Sequence, residues 1–280
     1  MRRLAVTALA TFVCLLVAAP PSQAAGTRYV ALGDSYSAAS GVFPPDPAAP
    51  PQCGRSSANY PHDIAAATGA QLTDVTCGAA KTSDFFSSQY PGVAPQLDAL
   101  GPDTQVVTMT IGGNDNDVFI DTIVDCGTAG ASTGGQGSPC KDRYGSYFDD
   151  TIRNSTYPAL VKALQAVHAK APNATVAILG YPWIMPESVG CFDKMPIAQG
   201  DVPYVHDIQA TLNDAVLRAA AATGTTYIDF SQTSVGHDAC QPMGIRWIEP
   251  VFQGTNPVIV HPNALGESQM AAQTMQTVQF

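Results

Sequence analysis

The sequence predicts an α/β fold, a three-layer α/β/α sandwich on a five-stranded parallel sheet, on three observations. Five short apolar runs, Val30 to Leu32, Leu72 to Cys77, Gln105 to Ile111, Thr175 to Leu179 and Thr226 to Phe230, have the continuous, largely β-branched character of strands covered on both faces. Segments with helical spacing alternate with them, so right-handed parallel crossovers are the expected connection. Neither an internal repeat nor a linker composition interrupts the pattern, so residues 25–280 are expected to form one domain.

Residues 1–24 stand apart. Met1-Arg2-Arg3 precedes an apolar run from Leu4 to Ala19, and Ser22-Gln23-Ala24 places small residues where a signal peptidase reads them. A secretory signal cleaved after Ala24 is therefore expected, and with it a soluble, extracellular protein; the run is short for a retained membrane anchor. Phe12 and Val13 are too bulky to precede a lipidated Cys14. The remaining chain of about 255 residues is long enough for one sizeable core. Losing Arg2, Arg3 and no acid takes the net charge from −10 to about −12, which argues against nucleic acid and against docking on anionic lipid.

Six cysteines remain: Cys53, Cys77, Cys126, Cys140, Cys191 and Cys240. An even number in an exported chain reads as disulfides, for which fifteen pairings exist. Pairing in chain order, Cys53 with Cys77, Cys126 with Cys140 and Cys191 with Cys240, closes short local loops and is the one expected here. No Cys-x-x-Cys or His-Glu-x-x-His pattern is present, so neither zinc nor any other metal or cofactor is expected.

The first strand runs straight into Gly33-Asp34-Ser35. The five prolines between Phe43 and Gln52 require an irregular loop, after which Ser56 to Ala67 carries helical spacing. The second strand ends in Cys77-Gly78-Ala79-Ala80-Lys81-Thr82 and the third in Gly112-Gly113-Asn114-Asp115. Asp125 to Cys140, rich in Gly, Ser and Thr, reads as a surface excursion. Asp149 to Ala171 is predicted as one amphipathic helix with Leu160, Ala163, Leu164 and Val167 on its apolar stripe, and Pro158 as a kink or break. The fourth strand ends in Gly180-Tyr181-Pro182, and the next helix, Tyr204 to Ala222, is stopped by Gly224. Asn263 is placed to cap a final helix from Ala264 to about Val278.

Ser35 by itself has two readings, a nucleophile at the carboxyl end of a buried strand or a serine capping the next helix. The ends of three strands of a parallel sheet lie at one edge, however. That edge gathers Gly33-Asp34-Ser35, Cys77-Gly78-Ala79 and Gly112-Gly113-Asn114-Asp115, and the late His261-Pro262-Asn263 can return to it. With these motifs in this order, the chain resembles the GDSL, or SGNH, hydrolases, a family of esterases and lipases, and is similar to secreted actinobacterial members with three disulfides. The resemblance extends over the whole mature chain and implies a flavodoxin-like sheet, a monomer, and a serine ester hydrolase that needs no cofactor.

The residue types suit that chemistry. A serine hydroxyl is a weak nucleophile until a base takes its proton, and a neutral imidazole does so near neutral pH. His261 is the candidate base for Ser35, so activity is expected to rise as His261 deprotonates, around neutral to alkaline pH. Three oxyanion donors are implied by the resemblance: the Ser35 N–H, a backbone N–H of the second motif, and the Asn114 side-chain amide. The chain departs from the family pattern twice. The glycine usual in the second motif aligns with Gly78 or, on Thr82, with Ala79, and both remain candidates. The aspartate usual three residues before the histidine is replaced by Val258, so a backbone carbonyl, that of Val258 or else Ile259, is expected to orient the imidazole.

Among the other histidines, His237 beside Asp238 is the main competitor, whereas His62, His168 and His206 read as surface or capping residues. Asp34 and Asp115 are expected to brace their turns. Tyr181, Trp183, Trp247 and Phe252 either line an acyl pocket or pack ordinarily. Carboxylesters, triacylglycerols, phospholipids and sugar acetates all fit the chemistry. A phospholipase of the same fold and a catalytically weak binding protein on this scaffold are the alternatives to an acyl-ester hydrolase.

Overall fold

The computed structural model describes residues 26–280; the proposed signal segment lies outside them. Five strands form one all-parallel sheet: β1 (Arg28–Ala31), β2 (Gln71–Asp74), β3 (Val106–Met109), β4 (Thr175–Leu179) and β5 (Thr226–Ile228). Their order is β2-β1-β3-β4-β5, with Val30 paired to Thr73 on one side and Val107 on the other. After β1 the chain steps outward to β2 and then returns across the sheet to β3. The carboxyl ends of β1 and β3 therefore flank the reversal, where ligand crevices form in open α/β sheets.

Helices cover both faces. α1 (Ser35–Ala38) is a single turn, and α2 (Tyr60–Thr68) packs against the last helix, α8 (Ala264–Thr277). On the other face α6 (Tyr157–Lys170) packs against α7 (Val202–Thr223). All four residues of β3 are buried, as the two-sided cover requires. Among the described residues no helix is long and apolar enough to cross a membrane. The cysteines are joined as Cys53–Cys77, Cys126–Cys140 and Cys191–Cys240.

Three predicted elements differ, each for a local reason. The helix expected from Ser56 begins at Tyr60, because the Asn59 side chain accepts the His62 N–H and caps it there. The stretch expected as a surface excursion is mostly helical, with α3 (Val118–Ser132) and α4 (Pro139–Tyr144) flanking a short turn. Gly130 serves packing: a Cβ there would stand 2.3 Å from the Pro196 carbonyl oxygen. The helix expected from Asp149 is divided into α5 (Tyr147–Thr151), a wider π-type turn over Ile152–Thr156, and α6. Pro158, which has no N–H to donate and crowds the preceding turn, falls in the first turn of α6, where that costs least.

Candidate active site

Ser35 is placed by its neighbours. Pairing with β3 continues past β1, with Leu32 N–H donating to Thr108 O at 3.0 Å and Asp34 N–H to Thr110 O at 2.9 Å. Between them Gly33 turns the chain at φ +125°, and a Cβ there would lie 2.4 Å from Thr110 O, so only glycine fits. The Gln96 side chain clamps Gly33 from both sides, accepting its N–H and donating to its carbonyl. The Asp34 carboxylate caps α1 by accepting the Tyr36 N–H, which leaves Ser35 at the first position of the helix.

His261 meets Ser35 at 2.7 Å through Nε2, and its Nδ1 lies 2.7 Å from Ile259 O. A carbonyl oxygen only accepts, so Nδ1 carries the ring proton and Nε2 offers its lone pair to the Ser35 hydroxyl. The orienting carbonyl is thus that of Ile259 and not that of Val258. Val260, at φ +52°, turns the chain so that the Ile259 carbonyl, two residues before the histidine, faces the ring. A β-branched residue in that region costs about 1–3 kcal/mol and persists only where its surroundings hold it. Tyr36 Oη donates to Val260 O at 2.7 Å, and Val260 N–H donates to Glu249 O at 2.9 Å.

The imidazole sits against the rings of Tyr36 (5.2 Å between centroids) and Phe119 (5.7 Å). Burial pushes its pKa down to about 4, against the opposing pull of the Ile259 carbonyl. Burial thus favours the neutral ring and moves the expected onset of activity to lower pH than the neutral-to-alkaline range of an ordinary histidine.

The second motif is resolved by its hydrogen bonds. Gly78 N–H is occupied by Cys53 O at 2.7 Å, whereas Ala79 N–H has no acceptor among the described residues. Ala79 lies at φ +61°, a conformation that favours glycine, so it is Ala79 that occupies the glycine slot. Asn114 spends one amide proton on Ala80 O at 3.1 Å and keeps the other. Ser35, Gly78, Ala79, Asn114, Val258 and His261 line one pocket.

Beneath the pocket the two aspartates brace turns. Asp34 accepts hydrogen bonds from Tyr36 N–H, Thr110 Oγ1 and Tyr181 Oη, and burial pushes its pKa up to about 6 against them. Asp115 accepts from the N–H and hydroxyl of Thr82, which ties the second motif to the third. Tyr181 was legible only as an aromatic after a strand; here its hydroxyl accepts the Gly113 N–H at 3.0 Å and so holds the loop that presents Asn114.

The competing residues lie elsewhere. His237 stacks on Trp247 at 4.5 Å and bonds through Nδ1 to Ile245 O, while Asp238 caps the turn at Cys240. Trp183 stacks on His206, and Phe252 is exposed. Of the four aromatics weighed for an acyl pocket, only Tyr181 lines the apolar slot that lies behind Phe119.

This fold, with a hydroxyl and a neutral imidazole facing free amide donors at the switch point of a parallel sheet, defines an ester hydrolase. The chain belongs to the GDSL-like lipase/acylhydrolase family, whose model matches residues 31–268. It is 64% identical over 263 residues to Lipase 2 of Streptomyces coelicolor, covering 93% of this chain and 89% of that one. Among solved structures, phospholipase A1 from Streptomyces albidoflavus superimposes with a TM-score of 0.75 at 29% identity, covering 91% of this chain and all of the other. The extracellular lipase of Streptomyces rimosus gives the same TM-score and identity over 90% of this chain and all of its own.

Proposed function

We propose that this chain is an exported hydrolase of acyl-chain carboxylic esters that works through an acyl-enzyme on Ser35. The Ser35 Oγ attacks the ester carbonyl as His261 Nε2 takes its proton. The ring then returns that proton to the departing alcohol, and a water molecule repeats the sequence to release the acid. The Ser35 and Ala79 N–H groups and the free Asn114 amide proton hold the tetrahedral oxyanion. The observation that carries this reading is the 2.7 Å contact between Ser35 Oγ and His261 Nε2, with Nδ1 fixed by Ile259 O. Export rests on the N-terminal segment and on three disulfides, which suit an oxidising compartment.

A fluorophosphonate tests the reading directly. It should modify Ser35 alone, with a labelling rate that is half-maximal at about pH 4 and flat through neutrality. Two buried groups of the site act on the fold with opposite signs over this range. The neutral His261 ring stabilises the fold above its unfolded value of 6.5, and that contribution is lost as pH falls towards about 4. Asp34, raised from 3.8 to about 6, gains stability on acidification over nearly the same window. Each amounts to about 3 kcal/mol at about 1.4 kcal/mol per pH unit, with opposite sign, and circular dichroism beside the labelling follows the fold itself. Labelling elsewhere contradicts Ser35 as the nucleophile, and a rate half-maximal at pH 6.5 would mean a histidine base whose pKa burial does not lower.

The acyl preference rests on the slot behind Phe119. It runs between α3 and α7, is lined almost wholly by apolar side chains including Val118, Ile123, Val205 and Ile208, and is a narrow cleft with a cavity of about 30 Å³. Phe119 lines both this slot and the pocket of Ser35, so the two lie against one ring. Val205→Phe, which narrows the slot, should lower kcat/KM for octanoyl and longer esters about tenfold and leave acetyl and butyryl esters within twofold. That is the loss of one to two buried methylenes at about 0.8 kcal/mol each. A uniform loss across chain lengths would remove the slot from the substrate path.

A further inference from the structure

The loop that carries His261 is built around a buried ion pair that the proposed mechanism does not use. Arg246 and Glu249 are 3% and 1% exposed. The Glu249 carboxylate accepts from Arg246 Nε at 3.3 Å and Nη2 at 2.8 Å, from Thr255 N–H at 2.7 Å, from Thr255 Oγ1 at 3.1 Å and from Asn263 Nδ2 at 2.9 Å. Burial alone would push its carboxyl up; these donors outweigh it and hold the group below the usual range. Thr255 precedes the histidine and Asn263 follows it, so one carboxylate grips both sides of the segment that presents His261.

The backbone repeats the connection. Glu249 N–H donates to His261 O at 2.9 Å, and Val260 N–H donates to Glu249 O at 2.9 Å. Ile248 and Pro262 form an isolated antiparallel bridge, and Asn263 N–H donates to Trp247 O. The left-handed Val260 peptide, which aims Ile259 O at the ring, is therefore held by Glu249 on its N–H side and by Tyr36 on its carbonyl side. Among the described residues no carboxylate bonds the imidazole, and the nearest link from a carboxylate-bearing residue to its loop is this one through Glu249.

We propose that Glu249, clasped by Arg246, is a positioning residue for His261, holding the Val260 turn so that Ile259 O and Ser35 Oγ both stay in reach of the ring. It touches neither substrate nor the reacting atoms; it acts through the loop. The inference rests on His261 being the base, and the test separates the two.

Glu249→Gln keeps the shape of the side chain and loses the charge that the Arg246 fork grips. In the full-length folded enzyme it should lower kcat on a short p-nitrophenyl ester on the order of 10–100-fold with KM within threefold. It should also move the acid limb of both kcat/KM and fluorophosphonate labelling upward from about pH 4 towards 6.5, because a loosened ring is better solvated. Asp34 and Glu267, which flank Tyr36, and the Lys81–Asp117 pair at the pocket rim are unchanged in this variant, so a moved limb reports the ring's own setting. Thr255→Val removes one hydroxyl from the same carboxylate and should shift kcat and the limb in the same direction by a smaller step. It decides the matter should Glu249→Gln fail to fold. Variants that melt earlier yet keep the parent's kcat and acid limb would overturn the proposal and make the pair purely structural. Failure of the unaltered enzyme to label at Ser35 would instead refute the mechanism on which the inference rests.

Discussion

Ser35→Ala and His261→Ala should each lower kcat on an activated short-chain ester on the order of 10⁵–10⁶-fold, and the double variant should fall no further. The lack of additivity is the informative part. The serine hydroxyl and the imidazole act on one proton, so removing either abolishes the same step, and the second removal finds nothing left to lose. What survives is the contribution of the oxyanion donors and of binding, on the order of 10³–10⁴ over the reaction in water. Ser35→Ala should leave the fold intact. The hydroxyl's hydrogen bond is to His261 Nε2, while the position of Ser35 in the chain is set by Gly33, Gln96 and the Asp34 cap. Steady-state rates with an active-site titration and near-ultraviolet circular dichroism check both halves. A folded Ser35→Ala protein with a few per cent of parental turnover would mean that Ser35 is not the nucleophile.

The N–H of Ala79 shows how much of this site is legible in residue order and where that legibility stops. Strand runs and their glycine-ended turns place three motifs at one sheet edge, because period and punctuation are local properties. Which N–H of Cys77-Gly78-Ala79 faces the pocket is not local. It depends on a carbonyl 25 positions earlier in the chain, that of Cys53, which takes the Gly78 proton. The choice of Ile259 over Val258 likewise depends on a left-handed valine, a conformation that its residue type argues against and that Tyr36 and Glu249 impose from elsewhere.

The glycines of α3 mislead for a related reason. Composition marks them as loop, whereas the close approach of Pro196 requires a glycine at position 130 within a helix. The expected pH onset moves down because a reference pKa describes a solvated ring, and His261 is 7% exposed. Arg246 and Glu249 carried no signal at all, since an Arg and a Glu three residues apart look like any solvated pair until their burial is known.

Asn114→Ala should lower kcat and kcat/KM together on the order of 10²–10³-fold while KM moves little. The equality follows from when the interaction forms. In the proposed mechanism the free amide proton meets the oxyanion, and a planar ester carbonyl gains little from it before attack. The donor is preorganised from three directions: Ala80 O holds the other amide proton, Tyr181 Oη holds the Gly113 N–H, and Asp115 ties the loop to Thr82. Gly112, at φ +106°, lets the chain pass Leu160, whose Cδ2 would stand 2.9 Å from a Cβ there. The amide therefore needs no reorganisation as charge develops, which is where such donors acquire their effect. Asn114→Asp separates loss of a donor from loss of shape. It keeps the side chain's outline, offers no proton, and sets a carboxylate against the developing negative charge, so it should fall below Asn114→Ala. A rise in KM at constant kcat for either variant would assign Asn114 to ground-state binding and leave the oxyanion to the backbone donors of Ser35 and Ala79.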